Sequence, residues 1–475
     1  MSQHRPLLPQ RPDLSTRWKE YVKDTGHGYY MLATEDTGEA PIRLFLTPAL
    51  LESVEDSIYP QIVNAARFPG VRMVAITPDV HHGYGVPIGT VLLTDGDTGA
   101  VAMGPVGYDI GCGMMSASSQ VPVAAATADN RLRFNQAVTR RIALGPGRVS
   151  HTPLKDLTRN EFEAIIRGGA SHYVERYGAK IDRSRSERDA IPVDDRWQPP
   201  WGGPGRPERG VPQLGTLGGG NHFIELQGNI GTDTLYVQMH SGSRGFGHGL
   251  ATNYFHLARE ENPTIKALDL GYFTPDSPHY SDYLNAVAAG ANFAIVNRFA
   301  MFEQIALAFE EVFGKPLSLV YEISHNLVQR ELSPEFGWVH VHRKGATRAF
   351  PAGHDYLKGT EWQHAGHPIL IPGSNHDASF ILRATPSASI SGYSVNHGAG
   401  RRMSRGAARK TLKQTDVDDA YRTAGIVVNL DGAVPIDESR DVYKSSREVV
   451  GAVTRAGLAT VEHELMPLAS IKGNE

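Results

Sequence analysis

Six residues in five segments of this sequence could hold and use a metal ion. YDIGCGM (108–114) offers Asp109 and Cys112, GTLGGGNHFIEL (215–226) offers His222, and VQMHSGSRGFGH (237–248) offers His240. VYEISHN (320–326) offers His325 and VNHGAGRRMSR (395–405) offers His397. A thiolate, a carboxylate and several imidazoles form a mixed donor set that suits Zn²⁺, Mn²⁺, Fe²⁺ or Co²⁺ better than Mg²⁺ and does not choose among them. Taken singly, each residue has an ordinary explanation. With 20 His in the chain, any one is more often a surface or hydrogen-bonded structural residue. Cys112 alone reads as a small buried hydrophobe, Asp109 and Asn221 as turn residues. Their joint placement is what counts, because residues at strand ends on glycine-rich turns can converge on one cleft.

The elements that must carry these residues are strands interleaved with a few helices. The runs MVAITP (73–78), VHHGYGVPIGTVLL (80–93) and AVAMGPVGYDIGCGMMSAS predict buried strands joined by glycine-dependent loops. Helical spacing covers 155–178 through Phe162, Ile165, Ile166 and Tyr173. The longest pattern, Ala-rich, runs from Ser281 to Phe313 with Leu284, Val287, Ala288, Ala291 and Ile295 on one stripe, and predicts a central helix or two in series. A further helical pattern spans Ser446 to His463, and a short strand after it would bring Lys472 inward. Residues 1–40 predict a mobile arm leading into short strands. The segment 180–213, dense in Pro, Gly, Arg and Asp, predicts a surface insertion outside the core, with Trp197 and Trp201 either covering the surface, the plainer reading, or stacking on nucleic acid.

Bulk properties narrow the function classes. Against 47 Lys plus Arg stand 51 Asp plus Glu, so the net charge of -4 offers nucleic acid no global attraction, and any RNA contact must come from a local basic patch. Cys112 is the single cysteine, which leaves no intramolecular disulfide. The N-terminus lacks an apolar signal core and no run of about 18 apolar residues occurs, so the expectation is a cytoplasmic protein with no membrane partner. Length alone would suggest roughly three domains.

Ordered blocks then carry a resemblance. From PDVHHGYGVPIG (78–89) to IKG (471–473), through VGYDIGCG, LGTLGGGNHFIE, HSGSRGFGH, ANFAIVNR, HNLVQRE, VHRKGATRAFPAG, ILIPGS and HGAGRRMSR, the chain resembles the RtcB-type RNA ligases. That family joins RNA 3'-phosphate and 5'-hydroxyl ends with GTP and Mn²⁺. The resemblance implies that Cys112 bridges two Mn²⁺ ions, with His240 and His325 completing one site and Asp109 and His222 the other. It implies that His397 takes up guanylate, passes it to an RNA 3'-phosphate, and that attack by a 5'-hydroxyl then expels GMP; a 2',3'-cyclic phosphate end would first be hydrolysed. Phe223, Glu225, Ser379, Tyr443 and Lys472 fall where the family contacts guanine or ribose, with Asn221 near the phosphates. Arg244, Lys344, Arg348, Arg401 and Arg405 become candidates for the triphosphate or the RNA backbone.

The sequence departs from that family in places. Gly111 stands where Asn is usual, removing an amide from beside the metals; His82 replaces a common Trp; and Asn375, His376 and Asp377 replace Met-Gly-Thr near the guanine pocket. Because residues from 109 to 472 must reach one site, the expectation is a single compact α+β domain over 41–475, with mixed sheets and a long Ala-rich central helix. The expected function is an RNA ligase of tRNA splicing or RNA repair. The alternatives are a metal-dependent phosphoesterase or guanylyl-capping enzyme that does not seal, and a lapsed RNA-binding protein. Which RNA is joined and whether an activating protein takes part stay open.

Overall fold

The computed structural model describes residues 12–473 other than 189 and 266. Two large sheets organise the chain. One holds seven strands in the order Val22–Asp24, Tyr30–Leu32, Ile42–Leu44, Val71–His81, Ile88–Asp95, Gly337–Lys344 and Asn326–Ser333, antiparallel except where Ile42–Leu44 meets Val71–His81. The other runs Ser318–Ser324, Gly113–Pro122, Thr234–Ser241, Phe223–Asn229, Ala459–Lys472, Ser379–Ala384 and Pro368–Ile371, with Val427–Val428 parallel to the long C-terminal strand. This is the expected α+β domain with mixed sheets.

The Ala-rich pattern forms one uninterrupted helix, Tyr280–Phe313. Its burial exceeds the predicted stripe: from Ala286 to Phe302 every side chain is buried. A helix apolar on all sides belongs inside a protein, and here helices Ala128–Arg141, Arg159–Tyr177 and Arg244–Glu261 pack around it while the second sheet covers the remaining side. The small residues have a purpose in this packing. A Cβ placed on Gly290 would come within 3.0 Å of the Ile110 side chain, so the turn carrying Asp109 and Cys112 lies directly against the helix.

Three expectations are corrected. The pattern from Ser446 to His463 is a helix only to Arg455; Gly457, at φ +68, turns the chain, and Ala459–Lys472 is a 14-residue strand. The turn separates two amphipathic periods that blur when read as one. Residues 12–40 are no free arm: Val22–Asp24 and Tyr30–Leu32 extend the first sheet, and Trp18 is buried and stacks on Tyr59; residues 1–11 lie outside the described part. The segment 180–213 has only short 3-10 turns, but it is not excluded from the core. Ile181 and Trp197 are buried in the main cluster, and the Trp197 indole N–H donates to the Tyr254 hydroxyl at 3.0 Å. Trp201 is half-buried beneath the Arg159 guanidinium.

Candidate active site

Register places the donor residues on one edge. Ser318–Ser324, Gly113–Pro122, Thr234–Ser241 and Phe223–Asn229 are neighbours and alternate in direction, with Gly113 opposite both Ser324 and Ser241 and His240 opposite both Met114 and Phe223. The N-terminal ends of two strands and the C-terminal ends of the other two therefore share an edge. Cys112, His222, His240 and His325 all sit there. Lys472, opposite Phe223 on the next strand, joins them.

The ligand atoms of Cys112, His222 and His240 lie within 4.8 Å of one another. Cys112 Sγ is 3.1 Å from His240 Nε2 and 3.5 Å from His222 Nε2. Beyond them, His222 Nε2 is 3.1 Å from Asp109 Oδ2, and His240 Nε2 is 3.2 Å from His325 Nε2. The thiol thus stands between an Asp109–His222 pair and a His240–His325 pair. Each inner imidazole is oriented from behind, His222 Nδ1 donating to Leu217 O at 2.9 Å and His240 Nδ1 to Asn221 O at 3.2 Å. Carbonyl oxygens only accept, so the Nε2 lone pairs face the cluster.

Electrostatically the cluster is unfinished. Burial and neighbouring imidazoles hold His240 and His325 well below the usual range, so both are neutral. Burial and the Asp109 carboxylate push the Cys112 thiol well up. For Asp109, burial acts upward but the hydrogen bond and charge of His222 and the charge of Arg244 outweigh it, leaving a carboxylate. A buried carboxylate, a thiol and the neutral imidazoles of His240 and His325 gain most from a cation that converts the thiol to thiolate.

The central helix holds this edge together. Arg298 donates to the Gly111 and Ser241 carbonyls, both at 2.8 Å, and to Ser324 Oγ at 2.9 Å, next to Cys112, His240 and His325 respectively. Its charge is met by Glu322, both side chains fully buried. Asn297 accepts from Gly215 N and Thr216 N and donates to the Gly242 carbonyl, tying the turn before His222 to the turn after His240. Neither residue was singled out from sequence, although two polar residues inside an apolar helical run were the available signal.

Gly111 corrects another expectation. At φ +75 its missing Cβ would lie 2.7 Å from Ala291 Cα, so position 111 faces the helix and not the metal-competent cluster. Gly111→Asn is expected to cost about 1–3 kcal/mol through overpacking, read as a lower denaturation midpoint; an unchanged midpoint would mean the helix yields freely.

His397 stands beside the cluster, its ring centroid 4.8 Å from that of His325. Its Nδ1 is 2.6 Å from Asp79 Oδ2, and its backbone N–H donates to the same oxygen. Asp79 is fully buried and also accepts from Thr77 Oγ1. Burial would raise this carboxyl, but the charge and hydrogen bond of His397 bring it below its ordinary value. The ring is therefore oriented with Nδ1 as donor and Nε2 as the free nitrogen. Gly345, at φ +61, leaves room: a Cβ there would approach His397 Nδ1 to 2.9 Å. Asp79, in the PDVHH block, was missed in the sequence. His81 is half-buried near it, its Nδ1 2.8 Å from the Asp79 carbonyl oxygen, whereas His82 is exposed.

Two cavities meet at His397 and Asn221. The first, about 230 Å³, is lined by Phe223, Glu225, Asn375, Tyr443, Lys472 and Arg401 among others. Burial raises Glu225 to about 8, although Gln227 Nε2 donates to it at 2.7 Å. The same amide reaches Ser379 Oγ behind the pocket. Glu438 collects the surrounding donors: Arg401 at 3.1 Å, Arg405 at 2.6 Å, Lys472 at 3.2 Å and the Tyr443 hydroxyl. Asn375 Oδ1 accepts from Tyr421, while His376 stands by Arg440 and the Asp377 N–H turns back to Ser374. The second cavity, about 330 Å³, contains Cys112, His325 and Lys344 with Tyr84 and Tyr108. Arg244 lies behind the cluster, 3.3 Å from His222 Nδ1.

Arg348 is a correction. It is buried, ion-paired with Glu187 at 3.0 Å and bonded to Gln329, and it lines neither cavity. Glu187, in the 180–213 segment expected to be a surface insertion, supplies the counter-charge that occupies it.

A family model described as tRNA-splicing ligase RtcB matches residues 61–473. The RNA-splicing ligase RtcB of Mycobacterium tuberculosis is 34% identical over 456 residues, covering 87% of this chain and 100% of the relative. The tRNA-splicing ligases RtcB of Pyrobaculum aerophilum and Nanoarchaeum equitans are 33% and 32% identical, covering 92% and 91% of this chain and 95% of each relative. Among the described residues no helix is long and apolar enough to cross a membrane.

Proposed function

The chain belongs to the RtcB family, and from that membership we propose that it is an RNA ligase of tRNA splicing or RNA repair, joining 3'-phosphate or 2',3'-cyclic phosphate ends to 5'-hydroxyl ends through GMP carried on His397. The observation that carries this reading is His397 itself, oriented by Asp79 beside the Cys112 cluster at the junction of two cavities. One cavity suits a nucleotide and the other an RNA end.

In the first step His397 Nε2 attacks the α-phosphorus of GTP; an N–P bond forms, the bond to the bridging oxygen breaks, and pyrophosphate leaves. Asp79 keeps the Nδ1 proton in place and stabilises the ring as it becomes positive. Glu225 would accept from guanine N1–H and the 2-amino group, with Phe223 stacking on the base and Lys472, 5.7 Å over the Phe223 ring, beside it. Asn221 and Arg401 face the phosphates. An oxygen of the RNA 3'-phosphate then displaces the imidazole from phosphorus, and the 5'-hydroxyl oxygen attacks the RNA phosphorus, releasing GMP. Asp109, Cys112, His222, His240 and His325 would hold Mn²⁺, which would neutralise charge developing on the phosphoryl oxygens.

Glu225 implies a pH dependence. In the empty pocket its carboxyl titrates at about 8, whereas accepting two N–H bonds needs the carboxylate, so guanine binding releases a proton. GTP affinity is expected to rise with pH up to about 8, by at most about tenfold per unit, and then level. Glu225→Gln should flatten the profile; a wild-type profile independent of pH over that range would contradict the role.

The reading is tested with α-labelled GTP and Mn²⁺. An acid-labile, alkali-stable protein-bound label, followed by joining of a 3'-phosphate and a 5'-hydroxyl RNA, is expected. An adduct without joining would leave guanylyl capping, and no adduct would refute the histidine route.

A further inference from the structure

The second cavity has a wall that the guanylyl-transfer steps do not use. Tyr84, 70% exposed, meets Tyr108 edge to face with centroids 6.4 Å apart, and Tyr108 stacks on His248 at 5.1 Å and 24°. This ledge lines the same cavity as His325, Asn326, Lys344 and His397. The Lys344 ammonium is buried and donates to the Tyr84 and Val86 carbonyls at 2.6 and 3.2 Å. Among the described residues no carboxylate lies within ion-pair distance of it; Asp269, also on the cavity wall, acts on it only from farther off. Aromatic faces, a cation short of a counter-ion and a phosphoryl-transfer nucleophile thus share one space.

From this juxtaposition we propose that the exposed face of Tyr84, braced edge to face by Tyr108, which is itself packed between His248 and Phe255, forms a stacking subsite for the base of the terminal nucleotide of a 3'-phosphate RNA, placing its phosphate between Lys344 and His397. This rests on the ligase reading and adds to it where the RNA end is held. The two cavities share Ile88, Asn221 and His397, and an oxygen of the entering phosphate must reach the guanylate phosphorus from the side away from His397 Nε2, so that the N–P bond breaks as the new P–O bond forms. Stacking on a tyrosine accepts any base, as an enzyme acting on ends of varied sequence requires.

The test is a binding cycle without GTP, using a short 3'-phosphate RNA and the same RNA with an abasic 3'-terminal residue, with wild type, Tyr84→Ala and Tyr84→Trp. Wild type is expected to bind the intact RNA about tenfold more tightly than the abasic one. Tyr84→Ala should bind both alike, and Tyr84→Trp should restore the difference. Equal wild-type affinity for both RNAs, or an undiminished difference in Tyr84→Ala, would overturn the subsite. A difference seen only with an abasic 5'-hydroxyl end would overturn its assignment to the 3'-phosphate strand. A chain that discriminates the two RNAs yet never joins ends would refute the ligase reading and leave the ledge standing.

Discussion

His397→Ala is expected to incorporate no label from α-labelled GTP and to lose joining activity on the order of 10⁴-fold or more. In the proposed route the imidazole is the nucleophile that takes up guanylate, so its removal takes away the route and not merely its efficiency. No neighbour can substitute: the Nε2 atoms of His240 and His325 point at each other across 3.2 Å within the donor cluster. Metal content should be unchanged, because His397 is bonded to Asp79 and not to Cys112. Retention of the acid-labile adduct in this variant, with folding intact by thermal melt, would move the nucleophile elsewhere.

Asp79→Asn is expected to slow adduct formation by about 10³–10⁴-fold, the loss that follows when a buried His–Asp pair is left in the wrong tautomer. The carboxylate only accepts from Nδ1, whereas an amide can turn its N–H₂ toward the ring. Nδ1 then accepts, the proton moves to Nε2, and the attacking lone pair is gone. The His397 backbone N–H donates to the same Oδ2 as Nδ1, so that turn also costs this N–H its acceptor, and an amide that keeps its oxygen there lacks the negative charge that steadies the ring. Measuring adduct formation beside Mn²⁺ content separates this from damage to the cluster: the rate should fall while the metal is kept. A near-wild-type rate would mean that the Asp79 contact only supports the loop.

Much of the site was legible because the family blocks carry their chemistry in residue types. Asp109, Cys112, His222, His240 and His325 do meet, and Phe223, Glu225, Tyr443 and Lys472 do line one cavity with His397. Residues whose role depends on a distant partner were not legible. Asp79 is 318 positions from His397. Arg348 looked like a phosphate ligand until Glu187, on a segment with no regular period, was found against it. Gly111 read as a missing amide at the metals, but its direction is set by the approach of Ala291.

Residue types along the chain settle which atoms could bind and react, and they settle the long Ala-rich helix, because its many small apolar residues favour a helix and let neighbouring elements approach it closely. Tertiary structure alone decided where those atoms point. Strand register put four donors from separate strands on one edge, and a slip of one residue would turn them to the other face. Arg298 and Asn297 on the helix lock that edge, and the short strand Ser394–Asn396, paired with Ala346–Arg348, packs on Val71–His81 and so brings Asp79 behind His397. Local spacing carries no information about such contacts, since each is set by how one packed surface meets another.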